Sequence, residues 1–325
     1  MRKEILLVND TSLVCHHGCT LLMSTIYNEF KKNNIIIKDK IYFEQNLQTF
    51  FSEKKRNYDL ILINGEGTIH GKKNADKKKV NEILQFIKNF KKEYKTPIIL
   101  FNSTIAALNQ KQLNILKMVN KIYVRERYSQ SYLSQNRINS KVIPDFLSVI
   151  YCKKKISGSK TIITDSSLIQ KTLQLKNFCV SNKFTFVPLL YFNYLRYFRF
   201  AVINLFLPLK LNFMVNLYLY LKYNYSRKFL DNFNNSKIII TGRFHAIFLS
   251  IAMMKPFYTF DGDTHKVRGL IEMIGLNDRI INISKLKKNE INLKKYSASE
   301  IYKIKRFKKK SKKLISTFFR DLKNL

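Results

Sequence analysis

The sequence predicts an α/β protein of two domains, each a parallel sheet with helices on both faces, the two sheets facing a central cleft. Three observations lead there. Short runs of Ile, Leu and Val recur at Ile5–Val8, Leu60–Ile63, Pro97–Phe101, Ile122–Val124, Thr161–Ile163 and Ile238–Ile240. Runs that short and that continuously apolar read as strands buried on both faces. Segments with helical spacing separate them, as parallel crossovers require. Polar residues collect directly after the strands (Asp10, Asn64, Glu66, Asn102, Arg125, Asp145), at the carboxyl edge where open α/β sheets bind ligands.

Taken in order, Ile5–Val8 is the first strand and ends in Asn9-Asp10. Thr11–Gly18 is a loop and Cys19–Phe30 a helix. Ile35–Ile37 and Ile41–Phe43 are short strand candidates. Leu60–Ile63 feeds the turn Asn64-Gly65-Glu66-Gly67-Thr68, with His70-Gly71 beyond. A charged helix, Lys77–Tyr94, leads to the strand Pro97–Phe101, the helix Gln110–Val119 and the strand Ile122–Val124. Ser129–Gln135 is a short helix, and Val142-Ile143 leads to Pro144-Asp145. The first domain is expected over residues 1–150. Cys152–Lys160 reads as a linker. The second domain, 151–290, takes its strands from Thr161–Ile163, Phe184–Pro188, Ile238–Ile240, Phe257–Phe260 and Ile280–Ile283. It carries an aromatic helical insertion at 189–225, and a basic helical segment follows at 291–325.

The insertion is dense in Phe, Tyr and Leu, with Arg196, Arg199 and Lys210 between apolar runs. Its longest uncharged run, Phe200–Leu209, falls short of the roughly 18–20 residues that span a bilayer. Two readings stand: helices that cover the second domain, or a helix lying in a membrane interface with its cations toward lipid phosphates.

With 325 residues, 46% hydrophobic and 25% charged, the chain is globular rather than disordered. Its net charge of +37 allows nucleic acid, an anionic membrane or an acidic substrate as partner. No RNP-like, helix-turn-helix or zinc-finger pattern supports nucleic acid. Lys, Asn and Ile are also frequent throughout, so base-composition drift is the preferred account of the charge. Four scattered cysteines describe no disulfide framework and point to a reducing, cytoplasmic compartment. The apolar run Ile5–Val8 is too short for a signal peptide.

The stretch Lys237–His265 is the most informative. A β-branched strand ends at Thr241-Gly242, Arg243-Phe244-His245 opens an apolar helix, and Pro256 stops it. Free N–H groups and the helix dipole make such a turn an anion site, so Arg243 and His245 can both face phosphate or carboxylate. The alternative is a surface Arg and a capping His. Cys15-His16-His17-Gly18-Cys19 offers a tight set of zinc ligands or a Cys–His nucleophile, but lacks the second ligand pair of a zinc site. The preferred expectation is a substrate-binding loop with His16 or His17 at the cleft.

Five segments in register, NGEGTIHG, VRERYSQSYL, PDFLS, TGRFHAIFLSIAMMKPF and THKVRGLIEMIGL, resemble the polysaccharide pyruvyl transferase family. The resemblance runs from residue 1 to about 285 and is weakest over 150–236. It implies the two-Rossmann, glycosyltransferase B-like fold. It also implies transfer of the enolpyruvyl carbons of phosphoenolpyruvate to a glycan or lipid-linked saccharide, forming a cyclic ketal. Arg125 and Arg243 match the family's arginines and are expected on the phosphate and carboxylate, since a guanidinium pairs with each through two hydrogen bonds. Lys266 matches a further cation. His245 matches the family's His and is expected either to protonate the enol methylene or to stabilise the departing phosphate. A base for the acceptor hydroxyl is expected among Asp10, Glu66 and Asp145, with Glu66 first because glycines flank it; Asn64 joins the substrate-binding set. No metal and no cofactor are expected. The chain departs from the family's Asn-x-Gly-Asp first turn and Gly-Gly-Gly third turn, with Asp10-Thr11-Ser12 and Asn64-Gly65-Glu66-Gly67 in their places.

Two other classes compete. A glycosyltransferase would use a nucleotide-sugar donor on the same scaffold, but two arginines and a lysine suit a compact dianion better than a nucleoside. A non-catalytic basic protein bound to membrane or nucleic acid would have no reason to gather polar residues at strand ends. The expected location is cytoplasmic, with a peripheral contact at the inner membrane face through 189–225 and the tail around Lys308–Lys313 as the further expectation.

Overall fold

The computed structural model describes residues 2–48, 57–67, 69–70, 74–152, 158–191, 194–262, 264–286 and 293–325. Thr68 and Gly71 of the third-strand turn, and most of the linker expected at 152–160, lie outside the described residues. The elements begin with β1 (Lys3–Asp10), α1 (His17–Lys32), β2 (Ile35–Tyr42), β3 (Leu60–Asn64) and β4 (Ile69–His70). There follow α2 (Asn74–Glu93), β5 (Ile98–Ser103), β6 (Ile105–Ala106), α3 (Gln110–Leu116), β7 (Lys121–Val124), α4 (Arg127–Gln135) and β8 (Lys141–Val142). Next come β9 (Lys160–Ser166), α5 (Ile169–Ser181), β10 (Thr185–Phe186), α6 (Tyr194–Ala201), α7 (Asn212–Asn234) and β11 (Ser236–Gly242). The chain closes with α8 (Phe244–Met253), β12 (Phe257–Thr259), α9 (Lys266–Ile274), α10 (Ile283–Leu286) and α11 (Ala298–Lys323).

These elements form two compact units. The first holds Met1–Leu13, Ile26–Asp145 and Lys313–Leu325; the second holds Val14–Thr25 and Phe146–Lys312. The unit boundary thus falls inside α1 and inside α11.

The first unit is a six-stranded parallel sheet in the order β2-β1-β3-β5-β7-β8. Its central strands are apolar on both faces, which a helix-covered parallel sheet demands. A core of α2, α3 and α4 side chains, including Val80, Ile83, Phe86, Ile87, Leu113 and Leu133, fills one side. Strand β2 is a single strand rather than the two short ones expected; register shifts in its pairing with β1 absorb the polar Lys38–Lys40 stretch. The last turns of α11 also belong here. Phe318 packs edge-on against Tyr123 at 5.0 Å, and the Tyr123 hydroxyl donates to Asp321 at 2.9 Å. The basic composition of this segment concealed a buried stripe of Ile315, Phe318, Phe319 and Leu322.

The second unit is a four-stranded parallel sheet, β10-β9-β11-β12. The expected strand at Ile280–Ile283 is absent: Ile280 makes one bridge to Thr259, and Ile283 already begins α10. Helix α8 is buried at every position, so it forms the core on one side of this sheet. The 189–225 insertion becomes α6 and α7, and α7 continues to Asn234. No helix among the described residues is long and apolar enough to cross a membrane.

Both sheets reverse direction once. The order runs outward from β1 to β2 on one side and to β3 on the other, and from β9 to β10 and to β11 in the second unit. A reversal splays the two flanking loops apart and opens a crevice at their carboxyl ends. The loops concerned follow β1 and β3 in the first unit, and β9 and β11 in the second.

Candidate active site

In the second unit, the crevice is built from Thr164-Asp165-Ser166 at the end of β9 and Thr241-Gly242-Arg243 at the end of β11. The two threonine hydroxyls hydrogen bond at 2.6 Å and tie the strand ends together. Gly242 has no room for a side chain: a Cβ there would stand 2.5 Å from the Phe260 ring and 2.7 Å from Ser166 Oγ. This keeps the strand end flat against its neighbours and delivers Arg243 to the first position before α8. Its backbone is extended, and its N–H donates to Thr241 Oγ1 at 3.0 Å.

The Arg243 guanidinium pairs with Asp165, Nε lying 2.8 Å from Oδ2 and a second nitrogen donating to the same oxygen. Asp165 Oδ1 accepts the Leu189 N–H at 2.7 Å, and the Leu189 carbonyl accepts the His17 N–H at 2.9 Å. One carboxylate thereby orients the arginine and anchors the segment that carries the histidine loop. The Arg243 side chain keeps 17% of its surface exposed, so part of the cation is reachable. Sequence reasoning missed Asp165; its position at the end of β9, like that of Asp10 at the end of β1, was the available signal.

His245 is the second residue of α8 and is nearly buried. The His16 ring meets it edge-on, 5.5 Å between centroids. Gly18 makes this approach possible: a Cβ there would lie 2.5 Å from His245 Cβ and Nδ1 and 2.7 Å from His16 Cε1. His16 accepts the Cys19 N–H at Nδ1 (3.2 Å), which leaves the proton of its neutral ring on Nε2. Burial, then the Arg243 cation, then His245 hold His16 well below the usual imidazole range. It is therefore a neutral partner beside His245. The ligand atoms of His16, Cys19 and His245 all lie within 4.8 Å of one another. A thiolate and two imidazoles are donors of the kind zinc takes, so this trio is the one group of described residues able to hold a metal.

The adjacent histidine goes elsewhere. His17 Nδ1 hydrogen bonds Ser226 Oγ at 2.9 Å, and its ring stacks on Phe229 at 4.2 Å with Tyr191 and Tyr225 alongside. Burial, then the Lys222 charge, bring its pKa down to about 3. Lys222 itself is buried and donates to the Val14 carbonyl at 2.7 Å. His17 is thus a core residue that locks α1 to α7, which corrects its expected place at a cleft. Lys266 is half-buried at the start of α9.

In the first unit, Asp10, Asn64 and Glu66 gather at the crevice of β1 and β3. Asn9 and Asn102 take positive φ angles of 63° and 54° at the strand ends, and the Asn9 amide donates to the Asn64 carbonyl. Asn64 Oδ1 accepts from Asn102 at 3.1 Å. Glu66, at a φ of 27°, accepts the Thr11 hydroxyl at 2.5 Å. Asp10 accepts the Ser12 N–H at 2.8 Å and the Tyr27 hydroxyl. Gly65 serves the fold rather than a ligand's approach, since Ser103 Oγ would be 2.0 Å from a Cβ there. Arg125 departs most from expectation. It is buried, with NH1 2.9 Å from Asp145 and with Nε and NH2 on Thr104 Oγ1 at 3.2 and 2.8 Å. An exposed phosphate-binding arginine was expected; this one is an internal strut between β7 and the end of the unit.

The sequence pattern of the polysaccharide pyruvyl transferase family matches residues 16–264, which takes in the histidine loop, the Arg243–His245 turn and the strand ends between. The chain belongs to that family. It is accordingly a transferase, of a family whose donors are anionic and whose acceptors are glycans. No curated protein matches the chain. Among solved structures it is similar to a functionally uncharacterized Klebsiella pneumoniae protein, at 13% identity and a TM-score of 0.54, over 86% of this chain and 93% of that one. A Thermobaculum terrenum O-GlcNAc transferase aligns with 8% identity and a TM-score of 0.49, over 99% of this chain and 66% of that one. A Methanocaldococcus jannaschii UDP-GlcNAc 2-epimerase aligns with 11% identity and a TM-score of 0.49, over 94% and 99%. The first likeness, like the sheet orders above, speaks for the fold: two Rossmann-like α/β units.

Proposed function

We propose that this pyruvyl transferase family member uses phosphoenolpyruvate and delivers its three carbons, as a cyclic ketal, to a pair of hydroxyls on a cell-surface glycan or its lipid-linked precursor. The carrying observation is the cluster at the head of α8, where a partly exposed Arg243 and His245 lie together at the helix N-terminus. A compact dianion matches that set, because the guanidinium and the helix N-terminus both favour negative charge. Arg243 holds the donor's phosphate or carboxylate, and Lys266 adds a second cation.

His245 gives a proton to the methylene carbon of the donor. The double bond is consumed, and the adjacent carbon becomes electron-poor. One acceptor hydroxyl adds there and loses its proton to a carboxylate base. The second hydroxyl then displaces phosphate, which leaves with the bonding pair and takes up the remaining proton. His16, neutral and edge-on to His245, orients that ring and is a positioning residue. The cations neutralise the donor without a metal, and His245 keeps its lone pair for the proton.

The test is phosphate release from phosphoenolpyruvate by purified protein with candidate disaccharide acceptors, run beside nucleotide sugars and with a chelator. Acceptor-dependent phosphate release that survives the chelator and is lost in His245→Gln supports the proposal. Nucleotide release from a nucleotide sugar, with phosphoenolpyruvate inert, replaces it with glycosyl transfer. Loss on chelation and recovery with zinc transfers the chemistry to the His16–Cys19–His245 trio.

A further inference from the structure

The second unit carries an apolar surface that its own fold leaves uncovered. Most of the large hydrophobic side chains exposed among the described residues fall between Tyr194 and Tyr220. Tyr194, Tyr197 and Phe200 stand three apart on α6, and Phe213, Leu217 and Tyr220 stand four and three apart on α7, so each helix presents one outward stripe. Tyr197, Phe200 and Phe213 are 81%, 72% and 77% exposed. The inward faces are apolar as well: Leu195 on α6, and Val215, Tyr218 and Phe229 on α7, are buried. The core is therefore served by the inner face, and the outer stripe is surplus to folding. Leu205, Leu209 and Leu211 extend it around the turn between the helices. That turn is held by the Leu207 and Leu211 N–H groups, each bonded to a carbonyl five residues back.

The charge on the two helices and the turn between them is mostly of one sign. From Leu189 to Asn234 the chain carries Arg196, Arg199, Lys210, Lys222, Arg227 and Lys228 against one acid, Asp231. Of these, Arg196, Lys210, Arg227 and Lys228 are exposed, whereas Lys222 is buried in the core. A second copy of the chain is a poor occupant, because a self-complementary contact would set these cations against their own copies with Asp231 as the one acid on the two helices. Leucines among the aromatics offer no stacking face to a nucleic-acid base, but they do suit acyl chains. No described helix can span a bilayer, so the fitting geometry is a helix pair lying in the interface.

We propose that the α6–α7 surface docks this protein on a bilayer bearing anionic headgroups. The outward aromatic and leucine side chains enter the boundary between headgroups and acyl chains, and the arginines and lysines pair with lipid phosphates. The outward stripe shares no residue with the Arg243–His245 cluster, and the proposal stands or falls independently of the donor.

The chain contains no tryptophan, which allows single reporters. Full-length F200W and F213W, with V180W on α5 as control, are mixed with vesicles of phosphatidylcholine alone or with phosphatidylglycerol, some bearing brominated acyl chains. The expected result is co-sedimentation with the phosphatidylglycerol vesicles at low salt and quenching of F200W and F213W but not V180W. Partitioning should drop roughly tenfold or more as salt rises from about 0.05 to about 0.5 M. Doubly substituted F200S/F213S should bind at least about tenfold more weakly at low salt, with an unchanged melting curve. Three results overturn the proposal. One is soluble protein with anionic vesicles at low salt. Another is equal quenching of V180W. The third is an oligomer in the absence of lipid that F200S/F213S dissolves, which gives the surface to a second copy. F200W and F213W exchange one aromatic for another and V180W sits at an 81% exposed position, so the reporters decide the matter even if the serine variant fails to fold.

Discussion

Arg243 and Asp165 meet across the reversal point of the second sheet, the arginine Nε 2.8 Å from Oδ2, while Asp165 Oδ1 holds the Leu189 N–H at 2.7 Å. Two loops that are 78 residues apart in the chain are joined by one carboxylate. The pair also sets the direction in which the remaining guanidinium donors point.

Arg243→Ala should weaken the donor by the worth of one charge-assisted contact, about 1.5–3 kcal/mol, or roughly 10- to 150-fold in KM for phosphoenolpyruvate. Arg243→Lys should recover part of this, because a lysine keeps the charge but not the fork. Asp165→Asn should raise KM less than Arg243→Ala while lowering the melting temperature, since Leu189 loses a charged anchor. Steady-state kinetics of phosphate release checks all three, and an unaltered KM in Arg243→Ala would remove the arginine from the donor site.

Arg125→Ala should act on stability first. It strands the Asp145 carboxylate, fully buried, without its ion pair, a loss of about 3–5 kcal/mol. Replacing both partners with apolar residues, Arg125→Met with Asp145→Leu, should restore much of that. Urea denaturation of the single and double variants measures the difference. A single variant as stable as the parent would show that water reaches the pair.

Stability should fall as the solution is acidified below pH 6.5. Burial lowers His17 from 6.5 to about 3, and His16 moves in the same direction. The unfolded chain therefore binds protons that the folded one refuses, so stability present above pH 6.5 is lost progressively as pH falls toward 3. Each such histidine contributes a slope of about 1.4 kcal/mol per pH unit in that window. Urea melts at several pH values, repeated on His17→Phe, should show a steep dependence in the parent and a shallower one in the variant. Equal slopes would mean that His17 titrates in the folded state.

Gly18→Ala should damage catalysis more than its size suggests. The added Cβ would stand 2.5 Å from His245 Cβ and Nδ1, and overpacking of this kind costs about 1–3 kcal/mol. If α1 shifts to relieve it, the His16–His245 contact opens. The expected outcome is a lower kcat with KM for the donor little changed, because Arg243 is untouched. A variant with full kcat would show that the ring contact is not needed.

Periodicity alone was enough for the α/β class, for most strands and helices, and for the turn at Arg243–His245. Buried parallel strands are continuous apolar runs, and helix starts and stops are local chemistry at Gly242 and Pro256. These signals depend on neighbours in sequence, so the chain itself carries them. The motif series led to the family for the same reason: its residues cluster within short segments.

What only the tertiary structure decided depends on partners far along the chain. His16 and His17 are adjacent, yet His16 precedes α1 and bridges Leu190 while His17 opens the helix, and this sends one to His245 and the other into the aromatics of α7. Arg125 is a strand-end arginine in sequence, and only Asp145 beneath it makes it internal. Asp165 gained its role from Arg243, and the basic C-terminal segment gained a buried stripe from the first sheet. The insertion at 189–225 read first as a cover of the second domain and second as an interface helix. It took folding to show that α6 and α7 have two apolar faces, of which the core uses one.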